Sequence, residues 1–216
     1  MSGFPLASLR RIAHDRPPPA VERCDMCAAE VGADHRHVVV LQSRRLLCAC
    51  RPCHLLFTDD RAHLRYRAVP DRHLRLAGPV LDERAWDELQ IPVGLAFLFR
   101  NSARDRMVAL YPGPAGATES DLDLAAWDRI AGDHPALATL RPDVEALLAR
   151  RGADAYLVPI DACYELTGRL RTRWHGFDGG REAHAEVDAF FDRIARRSRP
   201  APERTDGRGG RAAGTP

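Results

Sequence analysis

Two Cys-x2-Cys pairs constrain this chain more than anything else in it. Cys24 and Cys27 lie in ERCDMCAAE, and Cys50 and Cys53 lie in LLCACRPCHLLF. They read Cys24-x2-Cys27-x22-Cys50-x2-Cys53, and five of the six cysteines fall within residues 24–53. A Cys-x2-Cys turn brings two sulfurs to one side of a tight bend, so each pair grips half of a tetrahedron. Pairs about twenty residues apart have the spacing of a four-cysteine zinc site. The chain between them must fold back, and it reads as a hairpin: apolar runs at 38–41 and 46–49 around a polar turn at 42–45. A short helix is expected to begin near Cys53. Knuckle, hairpin and second Cys-x2-Cys at a helix start together describe a treble-clef-like module.

Zinc in a structural role is the expected ion at Cys24, Cys27, Cys50 and Cys53. An iron centre is the alternative, and the lack of glycine after either pair, common in rubredoxin-like knuckles, counts against it. Cys48 shares a strand face with Cys50 and could replace it as a ligand. The compact chelate favours Cys50 and leaves Cys48 as a neighbouring thiol or a small buried residue. His35, His37 and His54 are substitute ligands by position, and an exposed, non-ligating role is expected for each. Cys163 falls on the apolar face of a helix and is read as core.

The remainder bounds the function. With 216 residues the chain can bury a core without disulfide staples. No run reaches the roughly 18–20 apolar residues that cross a bilayer, and the first twenty residues hold no apolar stretch of signal length. A cytoplasmic location is expected, and a reducing compartment turns clustered cysteines toward metal or redox use. All 32 basic residues are arginine, with one asparagine in the chain, as GC-rich coding produces. Arginine abundance is therefore a poor sign of nucleic-acid binding. Six arginines from Arg196 onward face only Glu203 and Asp206, leaving the body slightly acidic and without a basic stripe for phosphates.

The organisation reads as a disordered arm over 1–20, a zinc-binding module over 21–60, an α+β domain over 61–197 and a disordered basic tail over 198–216. Strands are expected at 64–69 and 73–77, a helix at 83–90, and a hairpin from 94–100 and 106–111. YPGPAGATESD reads as a loop, with Ser120, Asp121 or Asp123 capping a helix over 121–131. RPDVEALLAR places Val144, Leu147 and Leu148 at helical spacing. A strand at 155–160, a helix capped by Asp161 and a last helix over 180–196 follow. The fold class is α+β: a treble-clef-like module packed on a mixed domain with a small sheet and three C-terminal helices.

A four-thiolate site has no open position for water, so it builds structure. The second domain lacks a P-loop, GxGxxG, GxSxG or HExxH. Trp174, His175 and Asp178 in WHGFDGG could line a ligand pocket; the weightier account packs Trp174 and Phe177 at a helix corner that Gly179-Gly180 turns. Asp161 and Glu165 lie at i, i+4 as a carboxylate pair would, against the plainer reading of a cap and a solvated residue.

The segments ERCDMCAAEVGADHRHVVVLQSRRLLCACRPCHLLF, RYRAVPDRHLRL, IPVGLAFLFRNS, ALYPGPAGATESDL and LVPIDACYEL, with the WHGFDGG loop, resemble an uncharacterised bacterial family. It is a domain-of-unknown-function family common in actinobacteria and associated with gene clusters for oxygen-tolerant NiFe-hydrogenases. The resemblance runs from about residue 22 to residue 194. It implies a metal-binding accessory or assembly protein, acting through protein contacts with hydrogenase subunits or maturation factors and not by catalysis. A redox protein or enzyme of the same system, using iron at the four cysteines, is the alternative. The resemblance carries over no catalytic residue.

Overall fold

The computed structural model describes residues 21–59, 65–88, 94–113, 116–121, 124–176 and 179–202. The arm expected at 1–20 and residues 203–216 of the tail lie outside these.

The N-terminal part is built on a three-stranded antiparallel sheet in the order β2-β1-β3. Strands β1 (Arg36–Val40) and β2 (Arg45–Ala49) form the expected hairpin, with His37 opposite Cys48 and Val39 opposite Leu46. Helix α1 (Arg51–Leu55) starts directly after Cys50, with Pro52 in the first turn, where its missing N–H costs nothing. Strand β3 (Tyr66–Ala68) pairs with the other edge of β1.

The rest is organised by a seven-stranded sheet in the order β10-β4-β9-β8-β5-β6-β7. It comprises β4 (Leu74–Leu76), β5 (Leu95–Asn101), β6 (Arg106–Gly113), β7 (Gly116–Asp121), β8 (Glu145–Arg150), β9 (Ala155–Pro159) and β10 (Arg199–Pro200). All pairings are antiparallel except that of β10 with β4. Helices α2 (Glu83–Glu88) and α3 (Leu124–Asp133), with the 3-10 turn Pro135–Thr139, cover one face. Helices α4 (Ile160–Arg173) and α5 (Gly180–Arg197) cover the other. The α+β class is confirmed, but the sheet is the dominant element and not a small one.

Strand β8 shows why. The segment read as a helix over RPDVEALLAR is a central strand. Leu147 and Ala149 pack against Trp86 and Leu137 on one face, while Ala146 and Leu148 join Phe97 and Leu166 on the other. A strand buried on both faces needs no polar alternation, so its apolar run imitates helical spacing. Among the described residues two helices, α4 and α5, follow it.

Three local expectations are also corrected. YPGPAGATESD is no loop: β6 extends to Gly113 and β7 returns along it, Tyr111 opposite Thr118. Ser120 and Asp121 are therefore strand residues, the helix spans Leu124–Asp133, and Asp123 lies outside the described residues. Pro159 occupies the N-cap position of α4, so Asp161 sits inside the first turn, where its Oδ1 accepts the Ala162 N–H at 2.8 Å.

Composition puts the start of the tail at Ser198, yet residues 199–201 run beside β4. Arg199 N donates to His73 O at 3.0 Å, Ala201 N donates to Arg75 O at 2.8 Å, and Ala201 packs against the core. Backbone bonds to a sheet edge override a composition poor in large apolar groups. A chain ending at Ser198 is expected to be about 1–3 kcal/mol less stable than one ending at Pro202, at roughly 0.5–1.5 kcal/mol per hydrogen bond, as urea midpoints will measure. Equal midpoints would mean that β10 contributes nothing.

The N-terminal sheet is fastened to this body in two ways. Val39 and Val69 belong to the same core cluster as Phe97, Leu166 and Phe190. Around them lie charged ties. Arg72 reaches the fully buried Glu145 through Nε (2.8 Å) and Nη2 (2.6 Å). Arg67 meets the buried Asp143, and Arg44 meets Glu119.

Candidate metal centre

The first knuckle folds around Cys24. Its N–H donates to Ala29 O and its carbonyl accepts from Ala28 N, both at 2.8 Å. Asp25 locks this turn onto β2: its N–H donates to Cys48 O at 2.8 Å and its carboxylate accepts the Cys48 N–H at 2.7 Å. The second pair sits at the start of α1, where His54 N donates to Cys50 O at 2.9 Å. The β1–β2 hairpin returns the chain, so knuckle and helix start meet.

The four sulfurs of Cys24, Cys27, Cys50 and Cys53 lie within 4.8 Å of one another, and all are free thiols. Cys27 Sγ and Cys50 Sγ are 3.6 Å apart. That is too far for a disulfide, whose S–S bond is about 2.05 Å. It is close to the roughly 3.8 Å edge of a tetrahedron built on metal–sulfur bonds of about 2.3 Å. The electrostatics agree. Burial opposes charge on Cys24, yet backbone hydrogen bonds at Cys50, Met26 and Cys27 outweigh it and bring this thiol down to about 6. The crowding sulfurs of Cys50 and Cys27, with burial, push the Cys53 thiol up to about 12. Four such sulfurs become thiolates together only with a cation among them. The residues thus fit a four-coordinate metal ion, closed to water.

The knuckle does adopt the backbone that glycine favours, but with alanine: Ala28 has φ +60°. A left-handed non-glycine residue costs roughly 1–2 kcal/mol, partly offset by the freedom glycine has in the unfolded chain. Ala28→Gly is therefore expected to stabilise the protein by about 0.5–1 kcal/mol. Denaturant unfolding of the metal-loaded protein checks this, and a destabilised variant would refute it.

The histidines are placed otherwise than expected. None is exposed. His54 Nε2 is bonded to Val69 O at 2.9 Å, tying α1 to the end of β3. His37 Nδ1 is 2.8 Å from Asp161 Oδ2, and His35 Nδ1 is 2.9 Å from Gly32 O. Cys48 is not among the four clustered sulfurs; it lies with His35 and His37. Cys163 is buried in the core beneath α4, as expected, and burial raises its thiol well above the ordinary range.

Trp174 and His175 form a helix corner. The Trp174 indole donates to Gly176 O at 3.1 Å and its ring lies over Gly179 (φ +90°), where a Cβ would come within 3.2 Å of it. His175 is exposed, 3.9 Å from Glu182, and its N–H donates to Gly179 O. Asp178 lies outside the described residues. A cleft of about 560 Å3 opens elsewhere, where the N-terminal sheet meets α4. Its walls include His35, His37, Asp71, His73, Asp161 and Glu165. The Asp161–Glu165 spacing thus faces the cleft with both residues engaged, Asp161 with His37 and Glu165 with Arg169 and Arg193. No helix among the described residues is long and apolar enough to cross a membrane.

Fold and site define a class: an α+β protein with a treble-clef-like four-cysteine module built into its body. The chain belongs to the DUF5947 family, a family of unknown function whose model matches residues 23–198. No curated protein and no solved structure matches it.

Proposed function

We propose that this protein is a non-enzymatic, zinc-stapled accessory or assembly factor that acts by binding another protein. The observation that carries the reading is the surface the metal module holds out. Leu55, the last residue of α1, and Leu56 are 57 % and 68 % exposed. They sit two and three residues after Cys53, on backbone that a bound ion would hold rigid. Large apolar side chains offered on a rigid tip suit a protein contact. The four-sulfur site supports the same reading, because it is coordinatively closed and stabilises without reacting. Zinc suits four thiolates in a tetrahedron; iron would suit the same sulfurs and would colour the protein.

The partner we propose is a subunit or maturation factor of a NiFe-hydrogenase system, on the strength of the sequence resemblance. The test is capture of those proteins by the tagged full-length chain, beside a Leu55→Asp/Leu56→Asp variant that keeps its metal and its melting temperature. Capture by the parent alone, persisting above physiological salt as an apolar contact should, supports the reading. Equal capture by both chains removes the leucine tip. Unchanged hydrogenase assembly and activity in a gene-deletion host removes the hydrogenase partner. A visible absorption band in the purified protein replaces zinc with iron.

A further inference from the structure

His35, His37 and Cys48 form a second cluster beside the four-cysteine site. One ring nitrogen of each histidine and the Cys48 sulfur lie within 4.8 Å of one another. The register of the hairpin makes this cluster. His37 and Cys48 are directly opposed in β1 and β2 and share the sheet face that carries Val39 and Leu46 toward the body. His35, two residues before His37, falls on the same side, and the two rings meet edge to face at 4.7 Å.

The hydrogen bonds around the rings resemble those of metal-binding histidines. A ligating imidazole is normally oriented by a carbonyl or carboxylate on its other nitrogen. Here Gly32 O holds Nδ1 of His35 at 2.9 Å and Asp161 Oδ2 holds Nδ1 of His37 at 2.8 Å. Both contacts, with Glu22 Oε2 at 3.3 Å from Nδ1 of His35, call for a proton on Nδ1, so that in the neutral ring Nε2 carries the lone pair. Nε2 of His35 is buried and has no hydrogen-bond partner, in a side chain only 9 % exposed. Leaving a buried ring nitrogen without a partner is unfavourable, and packing alone gives no reason to build one between a second imidazole and a thiol. A bound cation gives that reason.

We propose that His35, His37 and Cys48 bind a divalent transition-metal ion of the zinc class, with a fourth coordination position open to the cleft. Two imidazoles and one thiolate are a borderline-soft donor set suited to zinc or cobalt(II) and poor for magnesium or calcium. Small rotations of the side chains bring the three atoms onto bonds of about 2.0 Å to nitrogen and 2.3 Å to sulfur. His35 and His37 are walls of the cleft, while Cys48 is not. The ion therefore sits at the cleft's inner wall with the thiolate behind it. Three protein ligands and one exchangeable position distinguish this site from the closed four-sulfur one. The fourth position takes water or a small anion.

The test uses the full-length protein. Equilibrium dialysis against zinc, read by elemental analysis, is expected to show a second equivalent beyond the four-sulfur ion. Cys48→Ser should lose that second equivalent alone, with an unchanged melting curve for the rest. His37→Gln provides an independent variant should Cys48→Ser fold poorly. Asp161→Asn, which removes only the orienting carboxylate charge, should weaken the second equivalent about 10–100-fold. Cadmium NMR separates the sites: one resonance of four-thiolate type and one of mixed nitrogen–sulfur type. The mixed resonance alone would uphold this site even if the four-sulfur reading failed. A four-thiolate resonance alone, or a second equivalent that survives both Cys48→Ser and His37→Gln, would overturn it. With cobalt(II) in the second site, added azide should alter the visible spectrum; no change would mean that the fourth position is closed, and the cleft-facing part of the proposal would fall.

Discussion

Replacing Cys53, or any one of Cys24, Cys27 and Cys50, by serine is expected to release the four-sulfur ion and melt the N-terminal module. A structural zinc supplies on the order of 10 kcal/mol of folding free energy in isolated fingers, and no three of these sulfurs can close its tetrahedron. The knuckle around Cys24 and helix α1 should lose their order first, because they bury little besides Cys24 itself. Strands β1 and β3 should persist longer, since Val39 and Val69 are shared with the core of the body. Amide exchange should therefore rise steeply over residues 22–31 and 50–57, and least in the buried strands β8 and β9. Cys163→Ser is the matched control. It buries a hydroxyl in apolar surroundings at a cost of about 1–3 kcal/mol and leaves the metal content unchanged. Metal analysis with exchange by mass spectrometry decides the matter. A Cys53→Ser protein that keeps its ion and its knuckle protection would refute the ligand assignment.

The second large effect belongs to the ion pair between Arg72, on the link from β3 to β4, and Glu145 of β8. Arg72→Ala is expected to cost about 3–5 kcal/mol, the range for removing one partner of a buried ion pair. Glu145 is fully buried at the start of β8, and both of its oxygens are engaged. Oε1 accepts from Arg72 Nε; Oε2 accepts from Arg72 Nη2 and from the Arg141 N–H at 2.9 Å. Arg72 also donates to Thr139 O at 2.8 Å. Without the guanidinium, the carboxylate loses the charged partner of both its oxygens and keeps the Arg141 backbone donor. Replacing both residues by apolar ones of similar volume should cost much less than Arg72→Ala alone, because no orphaned charge remains. Urea midpoints at unchanged m-value measure both. A single-mutant loss below about 1 kcal/mol would place this pair with solvent-screened surface bridges.

Much of the chain was legible because local patterns and final surroundings agreed. The β1–β2 and β5–β6 hairpins, strand β9 and helices α4 and α5 carry clear runs or amphipathic stripes, and they stand close to where those patterns put them. The errors share a cause. RPDVEALLAR became a strand because both of its faces are covered, which removes the alternation that marks a half-buried strand. YPGPAGATESD became paired strands because Pro112, Gly113 and Gly116 lie near a sheet edge, where lost ladder bonds cost little. Residues 199–201 looked like tail because backbone pairing leaves no trace in side-chain composition. The hairpin turn is the most consequential case. A turn at 42–45 would set His37 opposite Cys50. The observed register sets it opposite Cys48, and that two-residue difference assembles the second cluster.

Sequence alone determined the four-cysteine site, since Cys24-x2-Cys27-x22-Cys50-x2-Cys53 meets within one short module whose geometry is local. It also determined the α+β class and the apolar faces of α4 and α5, which follow from periodicity. Tertiary structure decided whatever depends on segments distant in the chain. It brought Asp161 to His37 across 124 residues and Glu145 to Arg72 across 73. It gave Cys48 to two histidines instead of to the other cysteines. It opened the cleft between the N-terminal sheet and α4, away from the WHGFDGG corner. Spacing along a chain fixes which ligands can share a local turn; which face of a strand meets which helix depends on register and docking, and these are settled only when the whole core is packed.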